Sequence, residues 1–404
     1  MSLHSIRLKF MALALSLLVS ACGGRGGPAA PPAGGITVTP GNTQVTVTWI
    51  AEPGVEYWLL YGLSPNISVN DLSVSHRWAT NITSPYVLTG LANGSTYYFT
   101  MNARIGGGSG GDGTPTVSAV PRPAGATWSP GGAMGASNMR GIAYGTASGS
   151  SLNYVAVGDA GAIYRGTDGI NWTAVSTGPN VNFRAALYTL GEFIAIGAAG
   201  TIYHSADMAT WTAATSNTVN NLNALASNGA LVVAVGDNGT ILYSNDKNTW
   251  TAASAVPTAN HLYGVVYAAN GRWVAVGAGG TLLSSTDASN WIAAASGTTQ
   301  DLNGVAVNSA YTYIGVGANG AVVRSTDGVN WSAQAVSPAA GLFAVNASAN
   351  QFLAVGAGGT AFTSPDGVTW TSQTTGTALN LLALTGSSTQ YFAIGQSGLN
   401  ISSK

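Results

Sequence analysis

Charge is nearly absent from this chain. Only 7% of its 404 residues are Asp, Glu, Lys or Arg, against about a quarter in an ordinary globular protein. Lysine occurs only at Lys9, Lys247 and Lys404, and the formal net charge is −1. No basic face exists to hold nucleic acid. Cysteine is limited to Cys22, which excludes an internal disulfide and a thiolate metal site. The histidines, His4, His76, His204 and His261, are isolated in sequence and lack metal-ligand spacing, so neither a metal nor a cofactor is expected. Past residue 21 no apolar run approaches a membrane span. The solvated surface must be built from Ser, Thr, Asn and Gly.

What is present begins with an export signal. Arg7 and Lys9 precede an apolar run from Phe10 to Val19, then small residues and Cys22. Val19-Ser20-Ala21-Cys22 resembles the lipobox of bacterial lipoproteins. The resemblance implies removal of residues 1–21, a diacylglycerol on the Cys22 sulfur and, with Gly23 following, lipid anchoring at the outer membrane or cell surface. An ordinary signal peptide or a short anchor is the plainer reading. Residues 22–35, rich in Gly, Ala and Pro, read as a flexible tether.

From 36 to 122 short alternating segments (ITVTP, QVTVTW, YWLLYG, YVLTGL, TYYFTMNA, TVSAV) are divided by Gly, Pro and Asn turns, the pattern of a β-sandwich. With Trp49, Leu88, Leu91 and Tyr98 in place it resembles a fibronectin type III domain. The resemblance implies that Trp49 is the core tryptophan of the second strand and Tyr98 the corner tyrosine. It implies a spacer or adhesive role, with no chemistry of its own.

From 123 to 404 one heptad recurs: GTDGINW, SADMATW, SNDKNTW, STDASNW, STDGVNW and SPDGVTW, ending at Trp172, Trp211, Trp250, Trp291, Trp331 and Trp370, 39 to 41 residues apart. A catalytic acid is needed once, so Asp168, Asp207, Asp246, Asp287, Asp327 and Asp366 are expected to hold turns, with Ca²⁺ binding as the alternative. Each repeat reads as four strands, for example 302–307, 313–320, 321–325 and 330–336, which indicates propeller blades. The last repeat lacks a tryptophan strand, and Ala126-Thr127-Trp128-Ser129 has the form of one without its first three. Pairing the two closes a seven-bladed ring and makes the whole chain all-β.

The heptads resemble the Asp-box of sialidase-type and BNR propellers, although here four residues separate acid and tryptophan where the sialidase form has five. The repeats also resemble the photosystem II stability and assembly factor family, whose propellers hold protein partners without chemistry. Blades differ at two positions of the first strand: Arg140, Arg184, Asn223, Tyr263, Asn303, Phe343 and Leu382, and two residues earlier Asn138, Asn182, Asn221, His261, Asp301, Gly341 and Asn380. The first strand is innermost in known propellers. These residues are therefore expected to ring one mouth, with Arg140, Arg184, Asn223, Tyr263, Asn303, Asp301 and His261 suited to a carboxylate or sugar; a solvated funnel is the alternative. Asp159 and Asp237 replace alanines of other repeats, so the fold does not require them. Glu192 is the only glutamate after 122 and sits away from the mouth, which disfavours sialidase chemistry. The expectation is a monomeric, non-catalytic surface lipoprotein binding a protein or glycan, with a sialidase-like glycoside hydrolase as the alternative.

Overall fold

The computed structural model describes residues 26–403 apart from 42, 70–75, 123, 147–151, 176–179, 349–350 and 387–389. The export signal, Cys22 and the first part of the tether lie outside the described residues. The chain divides after Arg122 into two compact units.

In the first unit β1 (Gly27–Ala29), β2 (Thr37–Gly41), β3 (Gln44–Thr48), β4 (Glu56–Gly62), β5 (Arg77–Ile82), β6 (Tyr86–Thr89), β7 (Tyr97–Ile105) and β8 (Val117–Ala119) make two antiparallel sheets. Their orders are β1-β7-β4-β5, with β8 also on β7, and β2-β3-β6. Period-two alternation turns Val45 and Val47 of β3 towards Leu59, Phe99, Met101 and Trp49 in one shared core.

Three details depart from the sequence reading. β1 lies within the stretch expected to be tether, where Gly27–Ala29 pairs with Ala103–Ile105. Such residues lack side chains to pack but still offer backbone donors and acceptors to an open edge. β5, RWATNI, mixes polar and apolar residues without a clear period and was not anticipated. At the start of β7 it is the hydroxyl of Tyr97 that accepts from an upstream backbone N–H, that of Ala92 (3.1 Å), as the Tyr57 hydroxyl of β4 does from Glu52 (2.9 Å). Tyr98 sits on the other face, because Tyr97 shares the alternation of Phe99.

Among the described residues, the second unit holds seven four-stranded antiparallel sheets in succession. The fifth is typical, with strands Leu302–Val307, Tyr313–Gly317, Ala321–Ser325 and Ser332–Ala335 and a single 3-10 turn, Ala318–Gly320. Its second strand is buried at every position, since neighbouring sheets cover both faces. First strands pack beside one another in order, and Met139–Gly145 of the first sheet packs against Leu381–Gly386 of the last. The arrangement is that of a β-propeller, and each sheet is called a blade below.

The last blade takes its outer strand from the start of the unit. β9 (Ser129–Pro130) pairs with Asn400–Ser403, Ser129 opposite Ser402 and Pro130 opposite Ile401. It is shorter than the expected 126–129, and the residues before it are fastened differently. Trp128 Nε1 donates to Gly125 O (2.8 Å), Gly125 N to Ser403 Oγ (2.7 Å) and Gln351 Nε2 to Ala124 O (2.5 Å).

The repeated acid builds a turn. Asp327 Oδ1 accepts from the N–H groups of Val329 and Asn330 (2.8 Å each), and Oδ2 accepts from Asn330 Nδ2 (2.8 Å). Ser325 Oγ donates to the same carboxylate (2.9 Å) while accepting from Gly328 N–H (2.8 Å). The corresponding pair of backbone donors reaches Asp168, Asp207, Asp246, Asp287 and Asp366. Each tryptophan joins the core that holds the second strand of the preceding blade, as Trp331 does with Val274 and Val276, and Trp331 also meets Tyr313 of its own blade edge-on at 6.0 Å. Trp250 and Trp291 are buried and donate through Nε1 to Lys247 O and Ala288 O (2.9 Å each).

These hydrogen bonds favour the charged carboxylate. The N–H groups of Thr210 and then Ala209 lower Asp207 to about 2. The unfolded carboxylate titrates near 3.9, so the stabilisation is complete above about pH 4 and is lost as pH falls through 2. Asp207→Ala is expected to cost about 1 kcal/mol at pH 7, the range for a lost side-chain cap. Urea midpoints of wild type and variant should converge between pH 4 and 2; a gap that stays constant across that window would show that the ionised carboxylate is not what stabilises the turn.

Candidate functional site

The residue expected at the mouth is a β-bulge in every blade. In the fifth, Leu302 pairs with Gly317 and Gly304 with Val316, leaving Asn303 without a partner. The register skips at Arg140, Arg184, Asn223, Tyr263, Phe343 and Leu382 in the same way. A bulged residue escapes the up-and-down alternation of its strand, so its side chain can be re-aimed. Here all seven line one cavity of about 220 Å³.

Below them, two residues along each strand, the wall is aliphatic: Ile142, Ala186, Leu225, Val265, Val305, Val345 and Leu384. These seven also belong to the cores between blades, with Ile142, Val265 and Val305 buried, so the exposed lining is mainly polar. In a first strand such small and branched residues read as ordinary core, and packing between blades is their main role.

The second set has a different task. The side chains of Asn182, Asn221, His261, Asp301 and Asn380 accept from the backbone N–H of Ala160, Ala199, Asn238, Gly279 and Gly358 in the preceding blade, at 2.8 to 3.3 Å. Asn138 accepts from Ser397 N–H (3.2 Å), joining the first blade to the last. Only Gly341 has no side chain to do so. His261 and Asp301 were expected among the ligand-binding residues; neither lines the cavity, and both are occupied in joining blades. His261 stacks at 18° on Tyr263, with centroids 6.3 Å apart, and flanks the rim.

Asp159 and Asp237, which the repeat does not require, are partners of the rim. Arg140 grips Asp159 through Nε (2.5 Å) and Nη2 (2.9 Å), and Asn138 adds a third hydrogen bond (3.0 Å). The Arg140 hydrogen bond, acting against burial, holds the Asp159 carboxyl below its usual range. Burial pushes Asp237 up, but hydrogen bonds from Asn223 (2.9 Å) and Asn221 (2.7 Å), aided by the Arg184 guanidinium, outweigh it, and its carboxyl is also lowered. Arg184 acts on both acids and donates from Nη1 to Asn223 Oδ1 (3.0 Å). Burial, Asp301 and Asp237 raise the Tyr263 phenol, so it stays protonated and can donate.

Glu192 opens the second strand of the second blade, at its hairpin with the first strand, and pairs with His204 Nδ1 (2.5 Å) and Lys247 Nζ (2.9 Å). His204, isolated in sequence, therefore has a carboxylate partner, and its Nε2 faces Asn248 Oδ1 (3.0 Å). Among the described residues no group of three or more His, Cys, Asp or Glu is placed to hold a metal.

No family model and no curated protein matches the chain. Among solved structures, YCF48 from Cyanidioschyzon merolae is similar at 16% identity and a TM-score of 0.57, over 68% of this chain and 98% of that one. YCF48 bound to a peptide gives the same identity and score, over 68% and 96%. Virginiamycin B lyase from Staphylococcus aureus is similar at 10% identity and a TM-score of 0.59, over 68% and 98%. At such identities the likeness shows the fold, a β-propeller.

Proposed function

We propose that this chain is a non-catalytic scaffold whose propeller, a ring of seven blades closed by β9, binds a protein partner at the bulge-lined mouth. The observation that carries the reading is the convergence of seven bulged, blade-specific side chains on one cavity, while the positions common to the blades are consumed by turns and blade-to-blade hydrogen bonds. A solved propeller of similar fold holds a peptide, which supports protein binding as the class of activity. What speaks against glycoside hydrolysis is that Arg140 is committed to Asp159 and that Glu192 is paired with Lys247 and His204. In this reading the first unit is a fibronectin type III-like spacer, and Cys22 anchors the chain by lipid at the outer membrane or cell surface, which raises the effective concentration of the mouth there.

The test uses the full chain on a peptide array, a glycan array and a fluorogenic glycoside panel. Peptide binding that falls at least tenfold in an Arg184→Ala, Asn223→Ala variant, with no glycoside turnover, is the expected result. Turnover would replace the scaffold with a hydrolase.

A further inference from the structure

We infer that the first unit carries a binding site of its own, for a sugar acid: a ligand with one carboxylate among hydroxyl groups. The inference is independent of the mouth of the propeller.

The site begins with an arginine on the core side of a sheet. Arg77 opens β5 and pairs across the sheet with Tyr61 of β4. By the two-residue alternation of a strand it shares the face of Ala79, which packs against the core of the unit. A guanidinium there would be desolvated at a cost if the core continued past it. The core stops at this level instead. Arg77 is exposed, and with Tyr61 and Tyr97 it lines a cavity of about 290 Å³ where β4 ends, β5 and β7 begin and the chain leaves β6.

The polar groups of this cavity are unengaged. Among the described residues the ion pairs all lie in the second unit, and the Arg77 guanidinium has no hydrogen-bond partner either. The Tyr61 hydroxyl also meets no partner among them and is open to solvent. Its ring is stacked on Phe99 at 19°, with centroids 6.4 Å apart, so the hydroxyl is presented from a fixed base. Tyr97 accepts from Ala92 N–H (3.1 Å), which leaves its own proton to donate.

These groups select the ligand. A free guanidinium takes a carboxylate through two parallel hydrogen bonds. One cation balances one negative charge, so a phosphate dianion would stay half compensated. The rest of the lining is Gly62, Leu63, Gly90 and Leu91, and the ammonium of an amino acid would find no carboxylate there. The two phenols both donate and accept, as sugar hydroxyls do. The volume equals roughly ten waters at about 30 Å³ each, room for one sugar.

The experiment titrates the full chain with glucuronate, glucose, glucuronamide, inorganic phosphate and N-acetylalanine, followed by saturation-transfer NMR. Glucuronate is expected to bind in the millimolar range, with glucose and glucuronamide weaker by about tenfold or more. Arg77→Gln should lose about tenfold, and Arg77→Lys should recover part of that, since an ammonium keeps the charge without the paired hydrogen bonds. Tyr61→Phe should lose about three- to tenfold. Equal thermal midpoints show that the variants fold; should Arg77→Gln misfold, Arg77→Lys and Tyr61→Phe carry the test. Glucuronate binding that survives Arg77→Gln, or that glucose and glucuronamide match, overturns the inference. So does phosphate or N-acetylalanine binding as tightly as glucuronate, which would make the site a general anion or peptide-terminus site. No binding of any ligand overturns it as well and leaves Arg77 as a charge that guards the open edge of β5.

Discussion

Deletion of residues 124–130 is expected to lower the thermal midpoint of the second unit by roughly 10–20 °C and to make the chain aggregate. The segment supplies the ladder partners of Ile401 and Ser402, the buried Ala124 within the core of the last two blades, and the hydrogen-bond partners of Gln351 and Ser403. Both of those side chains are buried; left unpaired, each costs about 1–3 kcal/mol. With the lost packing of Ala124 and Trp128 the total reaches about 5 kcal/mol, comparable to the whole margin of a typical domain, and each kcal/mol moves the midpoint by about 2–4 °C at this size. The uncovered edge of Asn400–Ser403 would also be available to a second chain. Calorimetry and light scattering on the deletion test this. A midpoint within about 3 °C of wild type would mean that the ring does not depend on β9.

The second large effect is expected from a single methyl group. Each second strand ends in a glycine, and at Gly317 φ is −166°, an extended angle open to any residue. Its requirement is space, since a Cβ there would collide with the backbone oxygen of Asp301. The same collision, with the carbonyl of the residue just before the first strand, recurs at Gly158, Gly197, Gly236, Gly277, Gly356 and Gly395. Backbone cannot rotate away as a side chain can, so Gly317→Ala is expected to cost about 3 kcal/mol or more. Gly279 is the converse: its φ is 61°, but nothing lies near its Cβ position. Gly279→Ala should cost only about 1 kcal/mol, and the equivalent residues Ala160 and Ala199 already hold that conformation. Chemical denaturation midpoints of the two variants decide between them. The opposite order would show that torsion, and not strand approach, imposes glycine in these blades.

Both predictions draw on different amounts of sequence information. The blade pattern is visible in the chain because every repeat solves one packing problem, burying a strand on both faces and capping a hairpin. The same Asp and Trp must therefore return each time. That the last repeat lacks an outer strand while the unit begins with a spare one is also visible, since an unpaired edge is a local deficit.

The N-terminal unit shows where such reasoning loses resolution. Adjacent tyrosines at 97 and 98 differ only in the face they occupy, and face is settled by pairing across β4 and β8. β1 has no side-chain signal because its contribution is purely backbone.

At the mouth the division is sharper. The sequence by itself determined that one position per first strand varies while its surroundings repeat, which marks Arg140, Arg184, Asn223, Tyr263 and Asn303. Only the tertiary structure decided that this position is a bulge, because a bulge is a mismatch between two strands and has no meaning for one. It decided that Asp159, 19 residues from Arg140, neutralises it, and that His261 and Asp301 join blades without lining the cavity. Such contacts depend on how neighbouring blades are set against one another, a distance in space that a one-dimensional period does not contain.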